Sequence, residues 1–420
     1  MMIDESIREE ILSKRPLQLP MWFLGLLLLF ILAGVAVFLA RIMGSNPGEA
    51  WQIYLVNFIF WTGIAQGGVV FACALRITSA KWGRPIMRVA EALGSFLPVS
   101  FLLLLILFLG KDYILPYATQ DYGAKEAWLN IPFVAAREVG GVLILFSLSL
   151  LYLYYSLRED LGGTKYALSG LAAWVALGWK GEDERAHCYT KLSTLSPIIT
   201  LLYAIVFSFL AFDFMMSLDP HWVSTLFGVY YVEASFLGAI GMIVVLSIMV
   251  RKHLTLQDYI TNIQFRDLGR LMFGFSLGWA YLFFSQFLTI WYGNMPEEAH
   301  FLIARLKEQP FQSVAWVVIS CVFFFPLIAL LPRTNKVVTP IFAFIAAVSL
   351  AGLWLEKFVI IIPTFTPQFH ISLAQLVITL GFLSAFILMF SLFVKAFPIM
   401  PLGDPYFAGK IKSQGSSGGH

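Results

Sequence analysis

The sequence predicts an all-α polytopic membrane protein with ten transmembrane helices. Three observations lead there. Of the 420 residues, 59% are hydrophobic and 13% charged, against about 25% charged in soluble domains. Ten apolar stretches are each long enough for a bilayer core that needs roughly 20 residues per helix. And Lys and Arg fall overwhelmingly on one side of the resulting topology, as positive-inside sorting requires.

In chain order the expected spans are 20–43, 50–76, 88–110, 132–157, 197–217, 222–250, 269–291, 311–331, 337–359 and 372–397. The first is an almost unbroken run, MWFLGLLLLFILAGVAVFLA. The second and third are divided by the basic stretch with Arg76, Lys81, Arg84 and Arg88, and the fourth and fifth by the polar loop 158–196. Within that loop LAAWVALGW (171–179) is apolar but too short to span, so it belongs at the membrane interface. Pro197 and Pro340 are read as early positions of the fifth and ninth spans, and Asp219-Pro220 as the start of the sixth, Asp capping and Pro leading the helix.

The basic side, expected to be cytoplasmic, receives 21 of the 28 Lys and Arg, and both termini lie on it. The acidic start MMIDESIREE and the long run after it are unlike a cleaved secretory signal. The net charge of +3 reflects the loop bias and gives no nucleic-acid surface. The division expected is an N-tail (1–19), a flanking helix (20–43), a first four-helix bundle (44–221), a second (222–359), the tenth helix (360–397) and a C-tail (398–420) ending in the flexible SQGSSGGH.

A weak internal repeat underlies that division. Pro197, Asp213 and Pro220 stand at the same spacings, 16 and then 7, as Pro340, Glu356 and Pro363. Both runs travel in one direction, so helices 2–5 and 6–9 read as a parallel repeat, with helices 1 and 10 flanking it.

Ionisable residues inside a membrane are costly and serve as functional candidates. Apart from Glu91, they gather in the outer half. Arg137 and Glu138 lie in the first turns of the fourth span, Asp213 near the outer end of the fifth, and Asp219 and His221 in the turn after it. Glu233 is read about 16 Å below the start of the sixth span. Glu356 and Lys357 reach the same side, where Lys357 could also snorkel to the interface. Arg137 and Glu138, as helix neighbours, are expected not to face one another. Gln66, Tyr203, Ser208 and Ser276 are weaker polar candidates for a path from the cytoplasm.

Such carboxylates suit proton handling, or the holding of a quinol head group with Asp219, His221 and Glu356 as acceptors. Cys73, Cys188 and Cys321 form no C-x-x-C, and the six histidines avoid the depth of the spans. No haem, iron–sulfur cluster or other metal is therefore expected on this chain. No nucleophile–base triad or phosphate loop appears, so no catalytic residue is assigned.

The stretch FDFMMSLDPHWVSTLFGVYYVEAS (212–235), with WLEKFVIIIP (354–363), resembles the NrfD-like membrane subunits of bacterial respiratory complexes, and among them the second such subunit of alternative complex III. The resemblance implies a part in a quinol:electron-acceptor (cytochrome c type) oxidoreductase of the inner membrane. It implies iron–sulfur and c-type haem subunits on the outer face, a sister NrfD-like chain alongside, and lipid around. Sister-type subunits that hold quinol carry a longer P-G-W-H turn where this chain has L-D-P-H-W, which favours a proton pathway here over quinol oxidation. A stand-alone secondary transporter is the rival class, but no pair of Gly/Pro-broken spans marks its midplane site.

Overall fold

The computed structural model describes residues 20–44, 46–162, 170–404 and 406–407. The N-tail 1–19, part of the loop after the fourth span and the end of the C-tail lie outside the described residues. The described chain is all-helical, with ten helices long and apolar enough to cross a membrane, and it is a multi-pass integral membrane protein. We number them α1 Met21–Ile42, α2 Pro47–Ile77, α3 Arg84–Ile114, α4 Ile131–Leu161, α5 Glu182–Phe214, α6 Phe227–His253, α7 Asn262–Gly293, α8 Phe311–Ala329, α9 Thr339–Ile361 and α10 Leu373–Ala396.

Helix starts follow local chemistry. Asn130 caps α4 by accepting from the Phe133 N–H at 3.0 Å, and Pro132 occupies its first turn. Thr261 with Gln264, and Ser372 with Gln375, close reciprocal capping boxes on α7 and α10. α5 begins at Glu182, well before the expected 197, because Glu182, Asp183 and Glu184 suit the positive end of its dipole; Pro197 is carried inside the helix. α6 begins at Phe227 rather than at Asp219-Pro220. There the Asp219 carboxylate takes the His221 N–H at 3.0 Å in a local turn, and Trp222 is buried in a cleft, which keeps 219–226 non-helical. Glu233 thus lies six residues into α6, about 9 Å from its start and not 16 Å.

Helices α2, α3, α4 and α5 pack together, as do α6, α7, α8 and α9, and α2 lies along α6 where the two groups meet. Over its most apolar window α2 is 94% buried and α1 only 11%, so α2 is the hub while α1 lies exposed at the periphery. α1 rests chiefly on α10, where Gly34 and Gly381 bring the backbones so close that a Cβ on Gly34 would sit 3.0 Å from the Gly381 Cα. α8 is interrupted by a π-helical turn, Ser320–Phe324, beside Gly352 of α9.

The stretch 171–179 forms a short helix, Gly170–Ala176, with Leu171, Trp174 and Leu177 exposed. Arg158 caps it by donating to the carbonyls of Val175 and Leu177 at 2.8 and 2.9 Å. At the other end of the sequence, residues 398–402 continue beyond α10 as a buried, non-helical strap on the face that carries the Lys- and Arg-rich loops.

Candidate functional site

Two buried charge groups occupy the half of the bundle away from the basic face. In the first, α4 aims Arg137 and Glu138 at Asp213 of α5. Arg137 donates to Asp213 Oδ2 through Nε at 3.0 Å and Nη2 at 2.5 Å. Its Nε also lies 3.8 Å from Glu138 Oε1, so these helix neighbours do share a site. Long side chains curl toward a common partner and overcome the 100° between their Cβ directions. The guanidinium is fixed from outside by the Trp128 and Phe133 rings, 4.0 and 4.8 Å from their centroids.

Asp213 is fully buried and Glu138 is 1% exposed. Among the described residues neither oxygen of Glu138, nor Oδ1 of Asp213, has a hydrogen-bond partner. One guanidinium thus serves two carboxylates whose remaining lone pairs are free to take a proton or water. Tyr117, in the loop before α4, donates to the Asp213 main-chain oxygen at 3.2 Å. Burial, reinforced by the Asp213 and Glu138 charges, holds its phenol well above the ordinary value, so it stays a neutral donor.

The second group joins α6, α7 and α9. Glu356 takes the Lys357 ammonium at 2.7 Å and the Trp279 indole N–H at 3.1 Å. Lys357 is 2% exposed and lies over the Tyr231 ring at 5.1 Å, so it points inward and does not snorkel. Glu233 occupies a slot opposite Gly278, where an added Cβ would come 3.2 Å from Oε1. Neither of its carboxylate oxygens has a hydrogen-bond partner among the described residues.

Beside this group opens a cleft lined by Trp222, Tyr230, Trp279, Phe283, Phe287 and Phe301, with Gln286, Arg305 and Glu356 among its polar groups. Trp222 stacks on Phe301 at 3.6 Å. Arg305 also lies 3.6 Å from that ring, which must therefore be sandwiched between them. Arg305 donates to the Ile360 carbonyl at 2.7 Å and Thr364 Oγ1 at 2.8 Å, tying the short helix Pro296–Leu306 to the end of α9.

Asp219 and His221, expected beside Asp213, make other contacts. Asp219 binds the His221 backbone and faces His300 Nδ1 at 3.8 Å; His221 is exposed. Of the weaker candidates, Gln66 bonds to Ser149 Oγ at 3.0 Å on α4. Tyr203 and Ser208 satisfy themselves on the carbonyls of Val232 and Ala204, which is structural bonding. Ser276 is buried without a partner among the described residues.

A third group escaped the sequence reading, which saw only Glu91 on the basic side. Arg76, Arg84, Arg88, Glu91, Glu159, Asp160 and Asp404 are all at most 9% exposed. Arg88 pairs with both Glu91 and Asp160. Ser156 Oγ donates to Glu91 at 2.8 Å, Arg76 donates to the Tyr152 hydroxyl at 3.2 Å, and Arg76 Nη2 lies 3.5 Å from Glu159. These residues look like loop charges when counted for topology. A signal was nonetheless present on α4. Glu138, Val142, Leu145, Ser149, Tyr152, Ser156 and Asp160 recur every three or four residues, and all are buried.

Residues 41–367 match the family model described as polysulphide reductase, NrfD. The chain belongs to this family. No curated protein matches it. The match spans α2 through α9, and so contains both carboxylate groups and the cleft, while the strap and nearly all of α1 and α10 lie beyond it. As an NrfD protein the chain is a membrane subunit of a quinone-interacting respiratory oxidoreductase. NrfD subunits pair with iron–sulfur, electron-transferring subunits.

Proposed function

We propose that this NrfD subunit conducts protons across the membrane within alternative complex III, a quinol-oxidising complex of the bacterial inner membrane. The observation that carries the reading is the single buried face of α4. It runs from Asp160 through Ser156, Tyr152 and Ser149 to Glu138, with Gln66 of α2 attached at Ser149. Ordinary packing would fill such a face with apolar side chains, since burying polar groups at depth is costly. The basic face is cytoplasmic in this reading, in keeping with its Lys and Arg. A proton enters at Glu91, Glu159 and Asp160, and leaves by Glu138 and Asp213, which share Arg137. Between Ser149 and Glu138 the face offers only Val142 and Leu145 over about 16 Å, so conduction depends on water reaching that interval. Quinol is oxidised beside a sister NrfD-like subunit, and electrons leave through partner iron–sulfur and c-type haem subunits on the opposite face.

The test is the intact complex in sealed vesicles. Glu138→Gln and Asp213→Asn should each lower the proton-to-electron ratio while quinol oxidation continues. A ratio equal to the unaltered complex would overturn the reading.

The cleft supports a second reading, in which this chain itself holds quinol. Its walls are aromatic, and Glu356, Gln286 and Arg305 supply polar contacts for ring oxygens. A photo-reactive quinone analogue that labels 279–287 and 301–305, and spares the sister subunit, would favour it over the first.

A further inference from the structure

Residues 398–402 are buried one after another without helical structure, with Met400 fully buried and Leu402 5% exposed. The chain then turns, Asp404 N–H donating to the Pro401 carbonyl at 3.3 Å. Gly403 N–H donates to Asp160 Oδ1 at 2.8 Å. Asp404 takes Arg84 Nη1 at 2.7 Å and lies 4.0 Å from Arg76 Nη2. Its Oδ1 caps the next residues by accepting from the Tyr406 N–H at 2.9 Å, and Phe407 beyond is 1% exposed.

This strap makes contacts of two kinds. Ile399, Met400, Leu402 and Phe407 attach it through apolar burial, and Gly403 and Asp404 dock on the charged residues at the basic-face end of α4. Asp404 supplies the one carboxylate within ion-pair distance of Arg84 among the described residues. With the strap lifted, Arg84, Arg76 and Asp160 would all turn to water. Buried ion pairs gain little net free energy over their hydrated partners, so the ionic half of the attachment does not lock it. Gly403 fits only because it lacks a side chain: a Cβ there would lie 2.4 Å from the Glu159 carbonyl oxygen, which is backbone and cannot swing aside.

We propose that residues 398–404 are a removable gate that controls access of water to the buried charged network of Arg76, Arg84, Arg88, Glu91, Glu159 and Asp160. This rests on the proton path above for its purpose, since the network is the path's entrance. The test places a reporter thiol in the network, Ser156→Cys, in a chain whose Cys73, Cys188 and Cys321 are replaced by Ala, within the assembled complex in vesicles exposing the basic face. A charged, membrane-impermeant maleimide should label this thiol slowly. Adding Gly403→Ala should speed labelling at least tenfold, with Asp404→Asn, which preserves shape, in between. Because Gly403→Ala, and Asp404→Asn by stranding Arg84, could each act by unfolding, the melting temperature of each variant is measured, and faster labelling counts for the gate only where that temperature is unchanged. Labelling unchanged in both variants overturns the gate. Labelling that rises, with proton uptake rising alongside, supports it. Labelling that rises while Glu138→Gln and Asp213→Asn leave the proton-to-electron ratio untouched upholds the gate as a water seal and removes the proton path.

Discussion

Lys357 illustrates how much one side chain's direction matters. Its stem is long enough to reach head groups, yet the ammonium turns inward, pairs with Glu356 and sits over two tyrosine rings. Breaking a buried pair from one side strands the other charge at a cost of about 3–5 kcal/mol, while removing both partners together is far milder. Lys357→Met should therefore lower the thermal unfolding temperature in detergent sharply, and Glu356→Gln with Lys357→Met should recover much of the loss. A double variant no better than the single one would mean the pair is not isolated energetically. The depth of Asp213 and Glu356 was legible because a carboxylate stands out in an apolar run. The partners were less so. Arg76, Arg84 and Arg88 share their residue type with topology-setting loop charges, and only three dimensions separate a buried arginine from a solvated one.

Among the helices, the apolar interval on α4 and the glycine crossing of α1 with α10 each make a claim. If Val142 and Leu145 are the barrier to protons, Leu145→Ser should raise the transfer rate several-fold in vesicles. A serine there can bond its own helix carbonyl four residues back, so folding should be retained. At the crossing, Gly381→Leu on α10 should cost roughly 1–3 kcal/mol of stability through overpacking, whereas Gly25→Leu, on α1 with nothing within 4 Å, should be silent. Equal melting temperatures for the two would mean the contact is not tight. Boundaries were the least readable feature. Pro197 looked like a first-turn proline and is instead internal, fifteen residues after a start set by three acids; Asp219-Pro220 looked like a cap and is a free-standing turn.

For the whole molecule, the ten spans were legible because each alone satisfies the bilayer's length requirement. The grouping of helices 2–5 and 6–9 could be read from the matched spacings of Pro197, Asp213 and Pro220 with Pro340, Glu356 and Pro363, but which faces meet could not, since helix faces in lipid lack the polar contrast that marks them in water. Topology carries its own prediction. A periplasm-dependent enzyme reporter inserted between α7 and α8 should be active, and one between α6 and α7 inactive; the reverse would invert the assignment of the basic face. The pairing of α1 with α10 also bears on how the chain is made. Synthesis delivers α1 to the membrane well before its chief partner α10, with eight other helices in between. Until α10 arrives, α1 is held only by its smaller contact with α2, where Phe38 meets Trp51 and Tyr54, and Gly34 is unmatched, so a chain stalled before that point leaves α1 loosely held for quality-control proteases to find.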